Sequence, residues 1–367
     1  MKSFSLWLTS FNCLCGDFCM RVLMISPRIS GIGGVAQHVS SLMGRLRRMD
    51  FDVDYISTEN TVHIPVKGLY NPSFSFSSFW KGLYRRVLGV EYDVVHAHNV
   101  PSWFCLKASR GKVKILTQHG VYSQQISFLH GGFFGYIGGR LEKYALKRVD
   151  AVTCISKSVY EYYRGIGVNA FYIPNAIDFN DLPDGGVRFY DKQVVFIGRV
   201  SLEKGVDTLL KSLEYLSSDV HVLVIGSGTR DMESLIHSQA SKHPNLHFLG
   251  YKPRSECLKI LAGSDALVLP SRFEGMPTVL LEAMALKIPI VATRIPGVLD
   301  VVDDSCAILI QPDDPKALAE AINNCLSGYP EKYISTAYER VREEFNWDVV
   351  SGKYVKLYMD LLCGRGF

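Results

Sequence analysis

The stretch Leu267–Thr293, LVLPSRFEGMPTVLLEAMALKIPIVAT, predicts a βαβ unit and indicates the fold class. A strand is expected over Ala266–Pro270, then a polar loop with a Gly and a Pro, then a helix, and finally a second strand over Ile288–Ala292. Short apolar strands joined through a helix are typical of a parallel sheet with helices on its faces.

The loop of this unit, residues 271–277, is a candidate ligand site. It follows the carboxyl end of a strand and opens a helix, which is where open α/β sheets bind ligands. The N–H groups and the positive dipole end of a helix start suit a phosphate. Glu274 in the loop and Glu282 in the helix flank this spot. The combination suits a ligand with both phosphate and hydroxyl groups, such as a nucleotide sugar.

The alternation of apolar runs and helical segments extends over the whole chain and predicts two doubly wound α/β domains with a cleft between them. The first strand series is RVLMISP, VDYIST, DVVHAH, KILTQH, AVTCIS and FYIPNAI, and the second is QVVFIGRV, HVLVIGSG, LHFLGY, ALVLPS, PIVATRI and CAILIQ. We expect domains over residues 20–180 and 191–345, a turn-rich linker over 181–190, and a C-terminal helix over 346–367 that packs back on the first domain.

Composition and charge limit the class of protein. The chain has 367 residues, of which 47% are hydrophobic and 21% charged, and no run of eighteen apolar residues, so we expect a globular protein without a transmembrane helix. Residues 1–190 hold 21 Lys and Arg against 13 Asp and Glu, whereas residues 191–367 hold 19 against 23. The basic first half suits an anionic acceptor or an anionic membrane surface, or is a solvated face without a partner.

Residues 1–19 are expected to be a loose tail or an incorrectly assigned start, because Met20 directly precedes the first strand. The nine cysteines have no regular spacing, which favours a reducing compartment over a disulfide framework. Cys13, Cys15 and Cys19 form the only cluster, which we interpret as free thiols.

Two further groups of residues in the first half allow alternatives. His96, His98 and His119 lie in or after predicted strands, where histidines are either hydrogen-bonded structural residues or metal ligands, and His119 stands where a side chain can reach a cleft. Residues 69–88 and 131–148 mix aromatic with basic side chains. These segments suit a lipid interface or ordinary packing.

The second half contributes positive charge. Arg199 and Lys204 follow a strand and precede a helix, so they can neutralise a diphosphate. Gly-rich turns at Gly33-Gly34 and at Gly226-Ser227-Gly228 let backbone approach a ligand, although such turns are common.

Together these segments resemble the retaining glycosyltransferases of family 4, which have the GT-B fold of two Rossmann-like domains facing across a cleft. The resemblance covers residue 20 to the C-terminus. It is carried by GGV (33–35), DVVHAHN (93–99), TQHG (117–120), IPNAID (173–178), FIGRVSLEKG (196–205), IGSG (225–228) and PSRFEGMPTVLLEAMA (270–285).

The resemblance implies a donor site mainly on the second domain. Arg199 and Lys204 would clamp the diphosphate, and Glu282 would bind the ribose. Glu274 would contact the transferred sugar near its anomeric carbon, and His119 would reach that sugar from the first domain, so these two are the expected catalytic residues. The other expected donor-binding residues are Gly34, Gly228, Gly275, Pro277, Thr278 and Val279.

Cations and N–H groups aimed at the leaving diphosphate make a metal unnecessary, so neither a metal nor another cofactor is expected. The expected partners are a nucleotide-sugar donor, a glycan or lipid-linked acceptor and an anionic membrane surface, without nucleic acid. The expected location is cytoplasmic, including the inner face of the membrane. The sequence departs from the family pattern at Pro296-Gly297-Val298-Leu299-Asp300, which ends in Asp where the family usually has Glu. The identity of the nucleotide base, uracil, guanine or adenine, therefore stays open.

Other classes fit less well. A nucleotide-sugar epimerase of the same fold would share the phosphate site but would not be expected to carry Arg199, Lys204, Glu274 and Glu282 together. An NAD-dependent dehydrogenase would need a G-x-G-x-x-G turn after the first strand, which the sequence lacks. A non-catalytic binding protein would be expected to have lost part of the charged set. Glycosylation of a soluble small molecule also remains an alternative.

Overall fold

The computed structural model of the protein describes residues 20–30, 34–66 and 68–364. The expected tail, with Cys13, Cys15 and Cys19, lies outside the described residues, and so does Gly33 of the first glycine turn.

The chain divides into two compact units. The first consists of Met1–Asn175 and Trp347–Phe367, and the second of Ala176–Asn346.

The segment 181–190, predicted to be a linker, belongs to the second unit. The Val187 N–H donates to the Lys259 carbonyl at 2.7 Å, and the Arg188 guanidinium pairs with Asp265 at 2.5 Å. The turn residues are present as the sequence indicates, but these bonds hold the segment against the domain that follows it.

The first unit contains a parallel sheet in the order β2-β1-β3-β4-β5-β6. Its strands are β1 (Arg21–Ile25), β2 (Asp52–Ile56), β3 (Tyr92–His98), β4 (Gly111–Gln118), β5 (Ala151–Cys154) and β6 (Ala170–Tyr172). Its helices before the second unit are α1 (Gly34–Arg48), α2 (Tyr70–Val87), α3 (Trp103–Ala108), α4 (Tyr122–His130), α5 (Gly132–Leu146) and α6 (Lys157–Gly165).

The second unit contains another parallel sheet, in the order β12-β11-β10-β7-β8-β9, which is the strand order of the Rossmann fold when counted from β7. Its strands are β7 (Gln193–Ile197), β8 (His221–Ile225), β9 (Leu246–Gly250), β10 (Ala266–Leu269), β11 (Ile290–Thr293) and β12 (Ile308–Ile310). Its helices are α7 (Val206–Ser212), α8 (Arg230–Ala240), α9 (Arg254–Ala262), α10 (Thr278–Ala285), α11 (Pro296–Leu299), α12 (Pro315–Ser327) and α13 (Glu331–Glu344).

Each predicted strand is present, and the predicted α/β class is confirmed. The central strands β1 and β10 explain why, because nearly all of their side chains are buried. A strand covered by helices on both faces needs a continuous apolar run instead of an alternating one. The predicted βαβ unit is β10-α10-β11, and its first strand ends at Leu269, one residue before the expected Pro270.

The predicted break of the C-terminal helix near residues 345–347 separates α13 from a last helix, α14 (Trp347–Leu362). Helix α13 packs on α10, whereas α14 packs on α1 and β4 and belongs to the first unit. Trp347, Tyr354 and Tyr358 of α14 are fully buried, so this helix completes the core of that unit.

The two aromatic and basic segments form helices. Residues 69–88 contain α2, and residues 131–148 contain α5. Arg85 of α2 pairs with Asp54 at 2.7 Å and also donates to the Tyr92 hydroxyl, so it stabilises the domain instead of facing a partner.

Candidate functional site

The centre of the candidate site in the second unit is an ion pair between two predicted site residues. The Lys204 Nζ lies 2.7 Å from a Glu274 carboxylate oxygen, and the other Glu274 oxygen accepts a hydrogen bond from the Ser271 hydroxyl at 2.8 Å. The two ionic side chains are only 16% and 8% exposed. The loops after β7 and β10 therefore bring one cation and one carboxylate together in a partly desolvated place.

The other cation of the predicted clamp has a different environment. The side chain of Arg199 is 63% exposed, and its contact with Glu203 at 3.4 Å is long for an ion pair. Since an exposed pair of this kind contributes little to stability, the guanidinium is available for a ligand phosphate.

A guanidinium outside the predicted set fixes the loop that carries Glu274. Both terminal nitrogens of Arg272 bond to the Asp207 carboxylate, at 2.7 and 2.8 Å, and its Nε donates to Asp313 at 2.6 Å. Partial burial of Asp207 opposes its charged form, but the hydrogen bonds from Arg272 outweigh this effect and lower the pKa of Asp207. We infer that Arg272 is structural and holds the loop to the start of α7 and to the loop after β12.

Two glycines allow backbone to approach this loop. Gly205 has φ +66°, and a side chain there would collide with the Pro270 carbonyl oxygen. A Cβ at Gly297 in α11 would collide with the Glu274 carbonyl oxygen. Gly297 belongs to the stretch Pro296–Asp300 that departs from the family pattern, and this stretch thus packs against the backbone of Glu274.

The backbone predicted to bind phosphate lies at the start of α10 in the second unit. Helix α10 begins after Pro277, so that the first-turn N–H groups of Thr278 and Val279 have no acceptor within the helix. Gly275 lies between Glu274 and this helix start. These groups can receive an anion together with the helix dipole.

The second glycine turn approaches the Arg199 loop. Val200 forms a parallel bridge with Gly228, and the Gly228 N–H donates to the Glu233 carboxylate at 2.9 Å. The Gly228 N–H is therefore already engaged by a side chain, which a ligand would have to displace.

The predicted ribose carboxylate has a cationic neighbour that the sequence reading missed. Glu282 is 7% exposed, and one of its oxygens lies 3.0 Å from Nε of Arg254. Arg254 also contacts Asp181 at 3.1 Å. The sequence could have indicated Arg254, because this residue begins helix α9 directly after strand β9. Parallel sheets bind ligands at the carboxyl ends of their strands.

The first unit gathers four histidines at the carboxyl end of its sheet. His96 and His98 are stacked with ring centroids 4.5 Å apart, as expected for one face of β3. Nδ1 of His98 lies 3.1 Å from Nε2 of His119. His38 of α1, which the sequence reading did not single out, packs edge-to-face on His119 with centroids 5.0 Å apart. The sequence could have indicated His38 by its position, four residues after Gly34 and one helical turn into α1.

Burial favours the neutral form of all four histidines. Burial lowers the pKa of His38 to about 4 and that of His96 to about 3. Burial and the neighbouring imidazoles hold the pKa values of His98 and His119 well below 6.5. His119 itself is 8% exposed.

Candidate metal-ligand atoms of His38, His98 and His119 lie within 4.8 Å of one another. This set differs from the trio weighed from the sequence, because His96 is replaced by His38. Hydrogen bonds account for both nitrogens of His38, through Asn175 at 3.0 Å and the Tyr354 hydroxyl at 3.1 Å. A metal would have to displace one of these partners.

Gly34, the remaining predicted donor-binding residue, is the first residue of α1 and is exposed. The predicted site residues thus divide between the units: Gly34 and His119 belong to the first, and the others to the second. Among the described helices, none combines the length and apolar character that crossing a membrane requires.

Two family models match the chain in succession. The model described as Glycosyltransferase Family 4 matches residues 32–181, and the model described as Glycosyl transferases group 1 matches residues 184–340.

Similar proteins cover nearly the whole chain. A glycosyltransferase of Methanocaldococcus jannaschii, itself uncharacterized, is 24% identical over 92% of this chain and 98% of its own length. Phosphatidyl-myo-inositol mannosyltransferase of Mycobacterium leprae is 25% identical over 92% of this chain and 96% of that protein. Anabaena HepE in complex with UDP-glucose has a TM-score of 0.70 at 16% identity, covering 93% of this chain and 100% of that one. At this identity the structural likeness establishes the fold.

Proposed function

Since the chain belongs to the group 1 and family 4 glycosyltransferases and has the Rossmann-like domains of their GT-B fold, we propose that it moves a sugar from a nucleotide-diphosphate sugar to a growing or lipid-linked glycan, with retention of anomeric configuration. The observation that carries the donor class is the partly buried Lys204–Glu274 pair beside the start of α10.

The chemistry of the proposed step matches this arrangement. Cleavage of the bond between the anomeric carbon and the phosphate oxygen builds positive charge on the sugar and negative charge on the leaving diphosphate. Lys204, Arg199 and the α10 N–H groups would stabilise the diphosphate, while Glu274 would stabilise the sugar. Preorganised groups of this kind lower a barrier by roughly 3 to 4 kcal/mol each.

The donor proposal is also supported by a solved relative. Anabaena HepE is described with UDP-glucose bound. In the proposed complex Glu282 would accept hydrogen bonds from the ribose hydroxyls, with Arg254 orienting its carboxylate.

A thermal-shift screen with UDP-, GDP- and ADP-sugars tests the donor, because a ligand that binds the folded state raises Tm by mass action. NMR of products formed with the stabilising donor tests the reaction. Transfer or hydrolysis with the donor's anomeric configuration retained is expected. Inversion would refute retention, and an epimerised nucleotide sugar would refute the transfer reaction.

The lipid-linked acceptor is favoured over a soluble one by the surface of the first unit. Helix α2 exposes Phe76, Trp80 and Tyr84, which are 69%, 53% and 64% exposed, and Arg86 of the same helix is also exposed. Aromatic side chains with neighbouring cations are typical of proteins that lie at an anionic lipid interface. The lipid named in the mannosyltransferase of Mycobacterium leprae supports the same acceptor class.

A cavity of about 490 Å³ adjoins this surface. It lies between α2, α3 and α5, and its lining is mainly aromatic and aliphatic, with Arg86 and Lys107 as the cations. An acyl or isoprenoid chain with an anionic head would suit such a cavity.

Sedimentation with phosphatidylcholine vesicles, with and without phosphatidylglycerol, tests the surface. We expect the full chain to bind the anionic vesicles and the double variant Trp80→Ser/Arg86→Ser to bind at least 10-fold more weakly. Tyr215→Ser/Arg342→Ser removes an exposed aromatic and an exposed Arg from the second unit and is the matched control. Equal binding by both variants would contradict the membrane proposal and favour a soluble acceptor.

A further inference from the structure

The hydrogen-bond chain that ends at His119 begins at a methionine. Nε2 of His98 lies 3.1 Å from the Sδ of Met24, a residue of β1 with no exposed surface. Nδ1 of the same imidazole lies 3.1 Å from Nε2 of His119. The three side chains therefore form a line from the sheet core to the predicted catalytic histidine.

The methionine determines where the proton of His98 lies. A thioether sulfur accepts hydrogen bonds weakly and cannot donate one. At 3.1 Å, two sets of lone pairs would repel each other, so Nε2 of His98 carries hydrogen and donates to sulfur. Because burial keeps the pKa of this imidazole well below 6.5, it is neutral and its Nδ1 is bare.

The same reasoning applies to the next ring. A bare Nδ1 on His98 requires a donor, so Nε2 of His119 carries hydrogen. His119 is also neutral, and its Nδ1 is then a bare acceptor. Among the residues that the structure describes, none forms a hydrogen bond with this Nδ1.

We propose that Met24 and His98 are positioning residues that hold His119 in the Nε2–H tautomer, so that its Nδ1 accepts a hydrogen bond from a hydroxyl of the bound sugar. The ligand part of this inference rests on the proposed function, whereas the tautomer does not. A bare Nδ1 attracts a neutral hydroxyl and repels a carboxylate, so the site selects donor sugars with a hydroxyl at that position over those with an acid. It also means that His119 does not donate a proton from Nδ1.

The tautomers can be read without substrate. Long-range ¹⁵N–¹H correlation spectra of the full chain, labelled at histidine and recorded at pH 7.5, distinguish Nε2–H from Nδ1–H imidazoles. His119→Asn and His98→Phe assign the signals. We expect both histidines as Nε2–H in the wild type. An Nδ1–H form of His119 would overturn the proposal.

Met24→Leu removes the acceptor and keeps the volume of the side chain, a change that cores usually tolerate. We expect His98 and His119 to lose the single Nε2–H form and to show the other tautomer or a mixture. Met43→Leu, a buried methionine of α1, is the matched control and should leave both unchanged. Unchanged tautomers in Met24→Leu would exclude Met24 as the residue that fixes them.

Substitution of His119 tests the acceptor atom with the donor found by the screen. The amide of Asn overlays the Nδ1 position, whereas that of Gln overlays Nε2. His119→Asn should therefore retain at least 10-fold more transfer than His119→Gln, and the reverse order would contradict the role of Nδ1. If no nucleotide sugar binds, the proposed function fails, while the spectra still decide the tautomer.

Discussion

Lys204 and Glu274 lie 2.7 Å apart, although they belong to loops that follow different strands, β7 and β10. The pair neutralises itself before any ligand arrives, which allows both charges to be held in a partly buried place. A diphosphate would share the ammonium, and this sharing would free Glu274 to face the sugar. The pair therefore prepares both charges that the proposed reaction needs.

Removing either member should abolish transfer and also affect stability. Lys204→Ala and Glu274→Ala should each reduce transfer at least about 100-fold, because each removes a group that stabilises developing charge. Each should also lower the free energy of unfolding by roughly 1 to 3 kcal/mol, because a partly buried charge loses its partner. Steady-state kinetics and urea unfolding measure the two effects.

The double variant Lys204→Met/Glu274→Gln separates the two roles. It removes both charges while keeping much of the volume, so its loss of stability should be smaller than the summed losses of Lys204→Met and Glu274→Gln by about 1 kcal/mol or more. Transfer should remain absent. Recovery of transfer in the double variant would mean that the pair serves stability alone.

Glu282 should depend on Arg254 for its function. Arg254→Met removes the guanidinium 3.0 Å from the carboxylate and should raise the Kd for the nucleotide portion of the donor about 10-fold, with a smaller change in kcat. Titration calorimetry with the free nucleoside diphosphate measures the affinity. Arg254→Lys keeps the charge and should lose less affinity. An unchanged Kd in Arg254→Met would contradict the role of this pair.

The elements of the fold could be predicted because parallel strands covered on both faces need continuous apolar runs. β1 and β10 are such runs, and the turn before each following helix is marked by Gly or Pro. Lys204 and Glu274 could each be predicted as a site residue, because each follows a strand. Their contact was not predictable, since 70 residues separate them in the chain.

The missed residues act through tertiary contacts that leave no local pattern. Arg272 and Arg199 each follow a strand and look alike in the sequence. In the structure, however, Arg272 is fixed by Asp207, whereas Arg199 is exposed. His38 follows no strand, and its place beside His119 depends on how α1 packs on the sheet. The 181–190 segment has turn chemistry, but its bonds to the second unit involve residues about 70 positions away.

Gly297 should be required for the shape of the Glu274 loop. In Gly297→Ala the new Cβ meets the Glu274 carbonyl oxygen, a backbone atom that can move only with its loop. We expect a loss of roughly 1 to 3 kcal/mol of stability and a lower kcat. Gly185→Ala lies in the same unit, with no heavy atom within 4 Å of its Cβ, and should change neither. Wild-type kcat in Gly297→Ala would show that the loop tolerates displacement.

The histidine cluster should make the first unit sensitive to acid. The folded pKa is lowered to about 4 for His38 and to about 3 for His96, and it lies well below 6.5 for His98 and His119. Between those values and the unfolded pKa of about 6.5, the unfolded chain binds protons that the folded chain does not. The contribution of these histidines to stability is therefore fully present above about pH 6.5 and falls as the pH decreases, by roughly 1.4 kcal/mol per histidine per pH unit.

Urea unfolding at pH 7.5, 6.0 and 5.0, followed by the fluorescence of the buried Trp103 and Trp347, measures this dependence. His38→Asn lowers stability at every pH, but the slope between pH 6.0 and 5.0 should decrease by about one proton, because one group that binds a proton only on unfolding is gone. His237→Asn, at an exposed position in α8 of the second unit, is the matched control. The same slope in wild type and His38→Asn would mean that His38 is already protonated in the folded protein, and the neutral cluster on which the tautomer of His119 depends would then be wrong.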